Sequence, residues 1–163
     1  GPEMRSTGEV MGWARSFPRA FLKAQLGAGT DLPTEGLVFL SIRDTDKTPA
    51  MLEAAQVLVE MGFSLIATRG TAKFLTDAGL TVEIVNKGYE GGLTIVDRLK
   101  DGHIALVFNT TEGAAAVDDS RAMRAVTLND KIPYYTTAAA AHAAVMAMKE
   151  RMNGDIKVRA LQG

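Results

Sequence analysis

From residue 37 onward the chain alternates short apolar runs with longer segments of helical hydrophobic spacing. Residues 37–43 form a β-rich apolar run followed by a polar loop, and Thr48 and Pro49 suit the N-cap and first position of a helix of about three turns. The same order follows at once, with a strand predicted over 63–67 and a helix over 72–78. This repeat predicts parallel strands joined by helical crossovers.

Further strands and helices continue the pattern. Strands are predicted over 81–85, 104–108 and 132–135, and helices over 94–100, 119–128 and 137–152. Residues 155–161 alternate weakly and are predicted to form an edge strand or a frayed end. The predicted fold class is α/β, a three-layer Rossmann-like arrangement in which helices cover both faces of a five-stranded parallel sheet.

The first part of the chain does not share this alternation. Residues 1–4 are typical of a protease-cleavage remnant and the start of an expressed fragment, so we leave them out of the fold argument. Residues 5–36 combine one short amphipathic helix with a linker that contains glycine and proline. We place a domain boundary near Gly36, so that residues 37–163 form the α/β domain.

Composition narrows the classes of partner and compartment. The 163 residues include 18 Lys and Arg against 19 Asp and Glu, so no bulk positive charge attracts nucleic acid or anionic lipid. No apolar run is long enough to cross a membrane, and we expect no membrane partner. The absence of cysteine excludes disulfides and thiolate sites, and a cytoplasmic location is the default expectation.

Polar loops follow four of the predicted strands. Because the carboxyl ends of parallel strands meet at one edge of a sheet, we expect these loops to converge on a ligand crevice. Their lysines, hydroxyls, amides and glycine suit a phosphate group, and they are Lys47, Thr68, Gly70, Thr71, Asn86, Lys87, Asn109, Thr110 and Thr111. The alternative is that the threonines and asparagines simply cap the helices that follow.

Several other kinds of site find little support in the sequence. No strand is followed by a P-loop or by a Gly-x-Gly-x-x-Gly turn, which excludes the usual motifs for nucleoside triphosphates and dinucleotides. His103 and His142 have no partner at metal-ligand spacing, so we predict no metal site. The pair Asp118 and Asp119 could act as acid and base, but acids at this point more often stabilise a helix N-terminus.

Four sequence runs together resemble a known family. They are Ser-Thr-Gly-Glu-Val-Met-Gly at 6–12, Ala-Thr-Arg-Gly-Thr-Ala at 67–72, Val-Asn-Lys at 85–87 and Phe-Asn-Thr-Thr-Glu-Gly at 108–113. In order and spacing they resemble the C-terminal allosteric region of the large subunit of bacterial carbamoyl phosphate synthetases. The resemblance extends from Arg5 to the last helix, and it implies a methylglyoxal-synthase-like fold with strand order 3-2-1-4-5.

The resemblance implies a regulatory function. The parent enzyme makes carbamoyl phosphate from glutamine, bicarbonate and ATP, with Mg or Mn, for arginine and pyrimidine synthesis. Its partners would be the rest of the large subunit and a glutamine-hydrolysing small subunit. The region itself would hold neither active site nor cofactor. In such relatives UMP inhibits and IMP activates through one nucleotide pocket, and ornithine activates at the junction with the preceding domain.

By matching motif positions, the resemblance also implies which residues bind effectors. The nucleotide contacts would be Lys47, Thr68, Gly70, Thr71, Lys87, Asn109, Thr110 and Thr111, with Ser120 nearby. Thr136 would face the ornithine junction. Alanines stand at 114–116 where many relatives carry basic residues, and the loop 87–92 is richer in glycine than usual, so the choice of nucleotide stays open.

Two other functions remain as alternatives. A lyase of the methylglyoxal synthase type would need an aspartate after its glycine pair and a histidine three positions before its second acid. Leu93 and Ala116 stand at those positions here, and neither side chain can transfer a proton. A structural module for oligomerisation is the other alternative, because the alanine-rich stretch 138–147 permits close helix packing.

Overall fold

Five parallel strands form one sheet in the order β3-β2-β1-β4-β5. The computed structural model describes residues 32–86, 94–111 and 114–162, and of 114–119 and 155–162 the backbone alone. The strands are β1 (Leu37–Ser41), β2 (Ser64–Ala67), β3 (Val82–Ile84), β4 (Ile104–Asn109) and β5 (Tyr134–Tyr135). Both the predicted fold class and the strand order are confirmed.

A helix follows each strand and covers the sheet. The helices are α1 (Pro49–Glu60), α2 (Arg69–Asp77), α3 (Ile95–Lys100), α4 (Ala114–Asn129) and α5 (Ala138–Gln162). Apolar side chains of α1, α2 and α5 join the core on one face of the sheet. Those of α3 and α4 join a second core on the other face, which gives the predicted three layers.

The central strand shows why both faces need a helical cover. Val38 and Leu40 of β1 belong to one core, whereas Phe39 between them belongs to the other. All three side chains are fully buried. Successive side chains on a strand point to opposite faces, so an apolar run without alternation requires packing on both sides.

The signals that bound α1 act as predicted. Thr48 is the N-cap, and its hydroxyl accepts a hydrogen bond from the backbone N–H of Met51 at 3.3 Å. Pro49 occupies the first helical position. After the last turn Gly62 adopts a φ of +99°, a left-handed conformation that glycine enters without a steric cost.

Three predicted boundaries are wrong. The helix predicted over 72–78 begins at Arg69, and the one predicted over 119–128 begins at Ala114 because alanine is the strongest helix former. Asp118 and Asp119 therefore lie inside α4 and do not cap it. The tail forms no edge strand, since α5 continues to Gln162, and the cost of about 1 kcal/mol for a glycine inside a helix does not stop it.

The segment that leads into β1 is anchored in the core by Leu32, while residues 34–36 are exposed. Leu32 is only 3% exposed and belongs to the core beneath α1 and α5. Its carbonyl accepts a hydrogen bond from Arg151 of α5 at 3.4 Å. Gly36 has a φ of +126°, and a Cβ there would lie 2.8 Å from the Cβ of Ala105. The predicted helix within residues 5–36 lies outside the described residues.

In the described part of the chain, no helix is both long and apolar enough to span a membrane.

Candidate functional site

The carboxyl ends of β1, β2 and β4 lie level with one another. Ser41 pairs with Asn109 and Leu40 with Ala67, so the loops that follow these strands start at the same edge of the sheet. Two adjoining clefts open there. The first, which we call the lysine cleft, has a volume of about 410 Å³ and is lined by Ile42, Arg43, Asp44, Lys47, Thr68, Gly70, Thr71 and Thr111.

The second cleft lies over β4, β5 and α4. We call it the arginine cleft; it has a volume of about 460 Å³ and is lined by Arg43, Asn109, Thr110, Thr111, Ser120, Arg121, Arg124, Tyr134 and Thr136. Arg43 and Thr111 line both clefts, so the two are neighbours along one edge of the sheet. A ligand with two chemically different parts could occupy both.

In the lysine cleft, a lysine lies over the start of a helix. The N-terminal residues of α2 have backbone N–H groups without an intrahelical acceptor, and the side chain of the N-cap residue Thr68 does not cap them. A Cβ at Gly70 would lie 3.3 Å from the Lys47 Nζ, so the glycine leaves room for the ammonium group above the helix. Two sources of positive potential therefore meet here, an arrangement that favours an anion.

The turn between β1 and α1 carries its own counter-charges. Asp44–Asp46 is a single 3₁₀ turn, and the Lys47 ammonium donates to the Asp44 carboxylate at 2.6 Å. In the same turn the Arg43 guanidinium donates to Asp46 at 2.7 Å. The hydrogen bond and the charge of Lys47 lower the pKa of Asp44, so this carboxyl group is ionised at neutral pH.

Hydroxyls of three neighbouring residues meet beside the lysine cleft. The Ser41 Oγ lies 3.4 Å from the Thr68 Oγ1 and 3.5 Å from the Thr111 Oγ1, both long for hydrogen bonds between hydroxyls. The weak contact between Ser41 and Thr68 leaves the Thr68 hydroxyl able to turn toward a ligand, whereas the Thr111 hydroxyl donates to the Asn109 side-chain carbonyl at 2.6 Å. Ser41 was not among the predicted site residues, although its place as the last residue of β1 is a signal for it.

Two of the predicted contact residues hold the protein together. The Thr71 hydroxyl accepts from the backbone N–H of Ile42 at 2.9 Å and donates to the Ile42 carbonyl at 3.4 Å. The Thr110 hydroxyl accepts from the backbone N–H of Arg43 at 3.1 Å. Both threonines are at least nine-tenths buried. Their hydroxyls therefore fix the chain where it leaves β1.

Asn109 organises the floor of the arginine cleft. Its side-chain amide donates to the Ser120 hydroxyl at 2.8 Å and to the Tyr134 hydroxyl at 2.7 Å. Its side-chain carbonyl accepts from the Thr111 hydroxyl at 2.6 Å and from the Thr111 backbone N–H at 3.3 Å. Asn109 is 5% exposed. One buried amide thus ties β4, α4 and β5 together at the cleft.

Arginines that the sequence analysis missed give this cleft its charge. Arg121 and Arg124 are exposed on α4, and the Arg124 guanidinium carbon lies 4.8 Å from the centre of the Tyr134 ring, a cation–π contact. Ser120 and Arg124 are four residues apart on α4 and therefore share a face. That spacing was a signal for Arg124 once Ser120 was a candidate.

The two adjacent tyrosines of β5 have different environments. Tyr134 is half-buried and faces the arginine cleft, whereas Tyr135 packs in the core against Phe108, with ring centroids 5.9 Å apart. Burial raises the pKa of Tyr135 to about 12. Only Tyr134 is therefore placed to meet a ligand in the cleft.

Apart from Asn86, which lies 3.5 Å from the Arg69 guanidinium and lines neither cleft, the predicted site residues that the structure describes fall into the two clefts. The lysine cleft brings together Lys47, Thr68, Gly70 and Thr71, and the arginine cleft Asn109, Thr110, Ser120 and Thr136, with Thr111 common to both. Lys87 and Leu93 lie outside the described residues. Of Ala114–Ala116 only the backbone is described, as the start of α4.

The histidines lie away from both clefts. His142 of α5 lies 2.8 Å from the Glu53 carboxylate of α1, which joins two helices on one face of the sheet. His103 immediately precedes β4, at the opposite end of the sheet from the clefts. Within the described ranges, no group of three or more His, Cys, Asp or Glu residues could hold a metal ion.

Comparison with known proteins places this site in a family. Residues 50–136, more than half of the chain, match the family model described as the MGS-like domain. The chain belongs to the MGS-like domain family. The matched residues include eight of the nine that line the arginine cleft and four of the eight that line the lysine cleft.

Three similar proteins have the same name. Carbamoyl phosphate synthase large chains are 48% identical to it in Rhizobium meliloti (strain 1021), over 99% of the chain, and 50% identical in Xanthomonas axonopodis pv. citri (strain 306), over 96%. The large chain of Ralstonia nicotianae is 48% identical over 96%. The chain spans 14% of the length of each of these relatives.

Proposed function

We propose that this MGS-like domain is the regulatory region of a carbamoyl phosphate synthase large chain, and that it binds a nucleoside monophosphate across the two clefts. UMP as inhibitor and IMP as activator are the proposed effectors. Identity of 48% over nearly the whole chain to carbamoyl phosphate synthase large chains supports the parent protein. The observation that supports the ligand is the Lys47 ammonium over the N-terminus of α2.

In this proposal the phosphate group occupies the lysine cleft. It would accept hydrogen bonds from the first N–H groups of α2 and from Lys47, two donor types that proteins combine for phosphates. Thr68 would add a hydroxyl donor, because its present contact with Ser41 is long, whereas Thr111 would do so only by giving up its 2.6 Å hydrogen bond to Asn109. Gly70 allows the ligand to approach the backbone closely.

The ribose and base would occupy the arginine cleft. Its volume of about 460 Å³ lies within the range of small-molecule sites, about 300 to 1,000 Å³. The Tyr134 ring and the Arg124 guanidinium offer flat surfaces for a base, and Asn109 holds Tyr134 in place. Ser120 and Thr136 lie at hand for hydroxyl contacts with the sugar.

The rest of the parent protein would do the chemistry. Carbamoyl phosphate formation from glutamine, bicarbonate and ATP, with Mg or Mn, would take place in other domains with a glutamine-hydrolysing small subunit. Nucleotide binding would stabilise one arrangement of the loops after β1, β2 and β4 and so bias contact with the catalytic part. Such coupling is typically about 1 to 3 kcal/mol and is reciprocal, so the parent's substrates would shift UMP affinity by the same factor.

Calorimetric titration of this chain with UMP, IMP and inorganic phosphate tests the proposal. We expect both nucleotides to bind one site, each to displace the other, and inorganic phosphate to bind more weakly because it leaves the arginine cleft empty. An absence of heat and of any thermal shift for all three at millimolar concentration would contradict the proposal. It would favour a purely structural role for the domain.

Ornithine is proposed to bind at the junction with the preceding domain, with Thr136 contributing from this side. A cationic amino acid needs carboxylates to offset the desolvation of its amines. Thr136 lies in the arginine cleft, and no carboxylate of the described residues lines that cleft. We therefore expect this chain to bind nucleotide but not ornithine, and the full-length enzyme to bind both. If this chain and the full-length enzyme bound ornithine with equal affinity in parallel titrations, the placement of the ornithine site at a domain junction would be wrong.

A further inference from the structure

We propose that Asp44 is an internal competitor for the phosphate site: its carboxylate holds Lys47 until a ligand phosphate displaces it. This inference rests on the proposed function, because it assigns a specificity role to a residue at the mouth of the same cleft. Without a ligand, Asp44 would neutralise the ammonium group that the phosphate needs. The residue would thereby determine which anions can enter.

The geometry of the turn after β1 sets up this competition. Positions three residues apart lie one above the other on a 3₁₀ helix, so Asp44 and Lys47 meet on one side of the turn. The turn is also fixed by backbone hydrogen bonds, including Asp46 N–H to the Arg43 carbonyl at 2.9 Å and Lys47 N–H to the Asp44 carbonyl at 3.1 Å. These backbone hydrogen bonds hold the Asp44 carboxylate beside the Lys47 ammonium group.

The two partners differ greatly in exposure. The Lys47 side chain is 20% exposed and lies over α2, whereas the Asp44 side chain is 93% exposed. An arriving phosphate would leave Lys47 in place and move only Asp44, which already projects into water. Exposed ion pairs contribute little free energy, so this contact can yield to a ligand. The neighbouring Asp46 is different, because it is only 16% exposed and holds Arg43.

Competition of this kind favours ligands with more than one negative charge. A carboxylate ligand would replace one single charge on Lys47 by another and would gain little there. A phosphate monoester carries about 1.5 to 2 negative charges at pH 7 and also accepts from the N–H groups of α2. Asp44 would thus disfavour monoanions relative to a phosphate.

The test compares Asp44→Asn with a matched control, Asp77→Asn. Asp77 also accepts from a lysine, Lys73, at 2.8 Å, but it lies at the last turn of α2, away from the cleft. We expect D44N to bind UMP about two- to fivefold more tightly than the unaltered chain, the fold-change that corresponds to loss of a weak exposed ion pair. D77N should bind as the unaltered chain does. The gain for D44N should extend to inorganic phosphate.

A second measurement follows the carboxylate itself. The pKa of Asp44, read from its carboxyl carbon by NMR, should be low in the free chain, where Lys47 lowers it, and should rise when UMP saturates the site. A pKa that stays low at saturation would show that Asp44 never leaves Lys47, and would overturn the inference.

The outcomes separate this inference from the proposed function. If the unaltered chain binds UMP and D44N binds it no better, or if D77N gains as much as D44N, the competitor role is wrong and the nucleotide site stands. If neither the unaltered chain nor D44N binds UMP or phosphate, both proposals fall. Binding by D44N alone would also contradict both, because the phosphate would then be unable to displace Asp44 in the unaltered chain.

Discussion

The lysine cleft and the arginine cleft share Arg43 and Thr111 but differ in how their polar groups are held. In the lysine cleft the cation has a counter-ion, Asp44, and the Thr68 hydroxyl makes only a long contact with the Ser41 hydroxyl among the described residues. In the arginine cleft the polar floor is fully engaged around Asn109, and the arginines of α4 are exposed. One cleft is thus suited to select the charge of a ligand, whereas the other is suited to select its shape.

Replacing Lys47 by Ala should have the largest effect on ligand binding if charge is selected in the lysine cleft. A charge-assisted hydrogen bond contributes about 1.5 to 3 kcal/mol, so UMP affinity should fall about tenfold to a hundredfold. Calorimetric titration measures it, with Lys73→Ala, an exposed lysine of α2, as the control. A larger loss for Arg124→Ala than for Lys47→Ala would reverse the assignment of the two clefts.

Replacing Asn109 by Ala should have the largest effect on the stability of the fold. The change leaves the hydroxyls of Ser120 and Tyr134 without their donor, and a lost buried partner costs about 1 to 3 kcal/mol. Urea unfolding measures the free energy, and the exposed Asn129→Ala serves as control, with an expected change within about 0.5 kcal/mol. Equal changes in the two variants would contradict an organising role for Asn109.

Replacing Thr71 by Val tests whether this residue positions the chain or contacts the ligand. The substitution removes the acceptor of the Ile42 N–H while keeping the shape, and the free energy of unfolding should fall by about 1 to 2 kcal/mol. UMP affinity of the folded protein should change less than about twofold, since the Thr71 hydroxyl is already bonded to the backbone of Ile42. A tenfold loss of affinity without loss of stability would make Thr71 a ligand contact.

The smallest expected effect belongs to the ring beneath Arg124. Tyr134→Leu removes the cation–π contact, worth about 0.5 to 1 kcal/mol at an exposed site, and should weaken UMP binding about two- to fivefold. Inorganic phosphate, which does not reach this cleft, should bind unchanged. Tyr134→Phe keeps the ring and separates its contribution from that of the hydroxyl. Equal losses for UMP and phosphate would remove the distinction between the clefts.

Much of the fold was predictable because short apolar runs between polar loops are a strong signal for buried parallel strands. Helix starts were harder to predict. Gly70 indicates a turn in the sequence, yet it occupies the first turn of α2, close to the N-terminus where the lysine needs space. The helix α4 begins at Ala114 because alanine has a high helix propensity. The polar loop motif just before it led to a predicted start five residues later.

The convergence of the loops at one edge of the sheet was predictable, but the hydrogen-bond partners of each side chain were not. Thr71 and Thr111 look alike in the sequence, and only the packing of α2 against the end of β1 commits one hydroxyl to the backbone. Arg124 was not predicted because the sequence does not show which side of α4 faces the cleft. Tertiary packing determines which partner each polar side chain bonds to, and hydrophobic spacing in the sequence does not specify that packing.

The position of Leu32 bears on how this domain could be transplanted between proteins. It precedes β1 by five residues, yet it fills part of the core, and Arg151 holds its carbonyl. A chimaera joined at Leu37 would lack Leu32 and so leave a cavity beneath α5. It would also lack Gly36, which leaves space for the Cβ of Ala105. The unit that recombination or engineering must move intact therefore includes residues 32–36 together with the sheet.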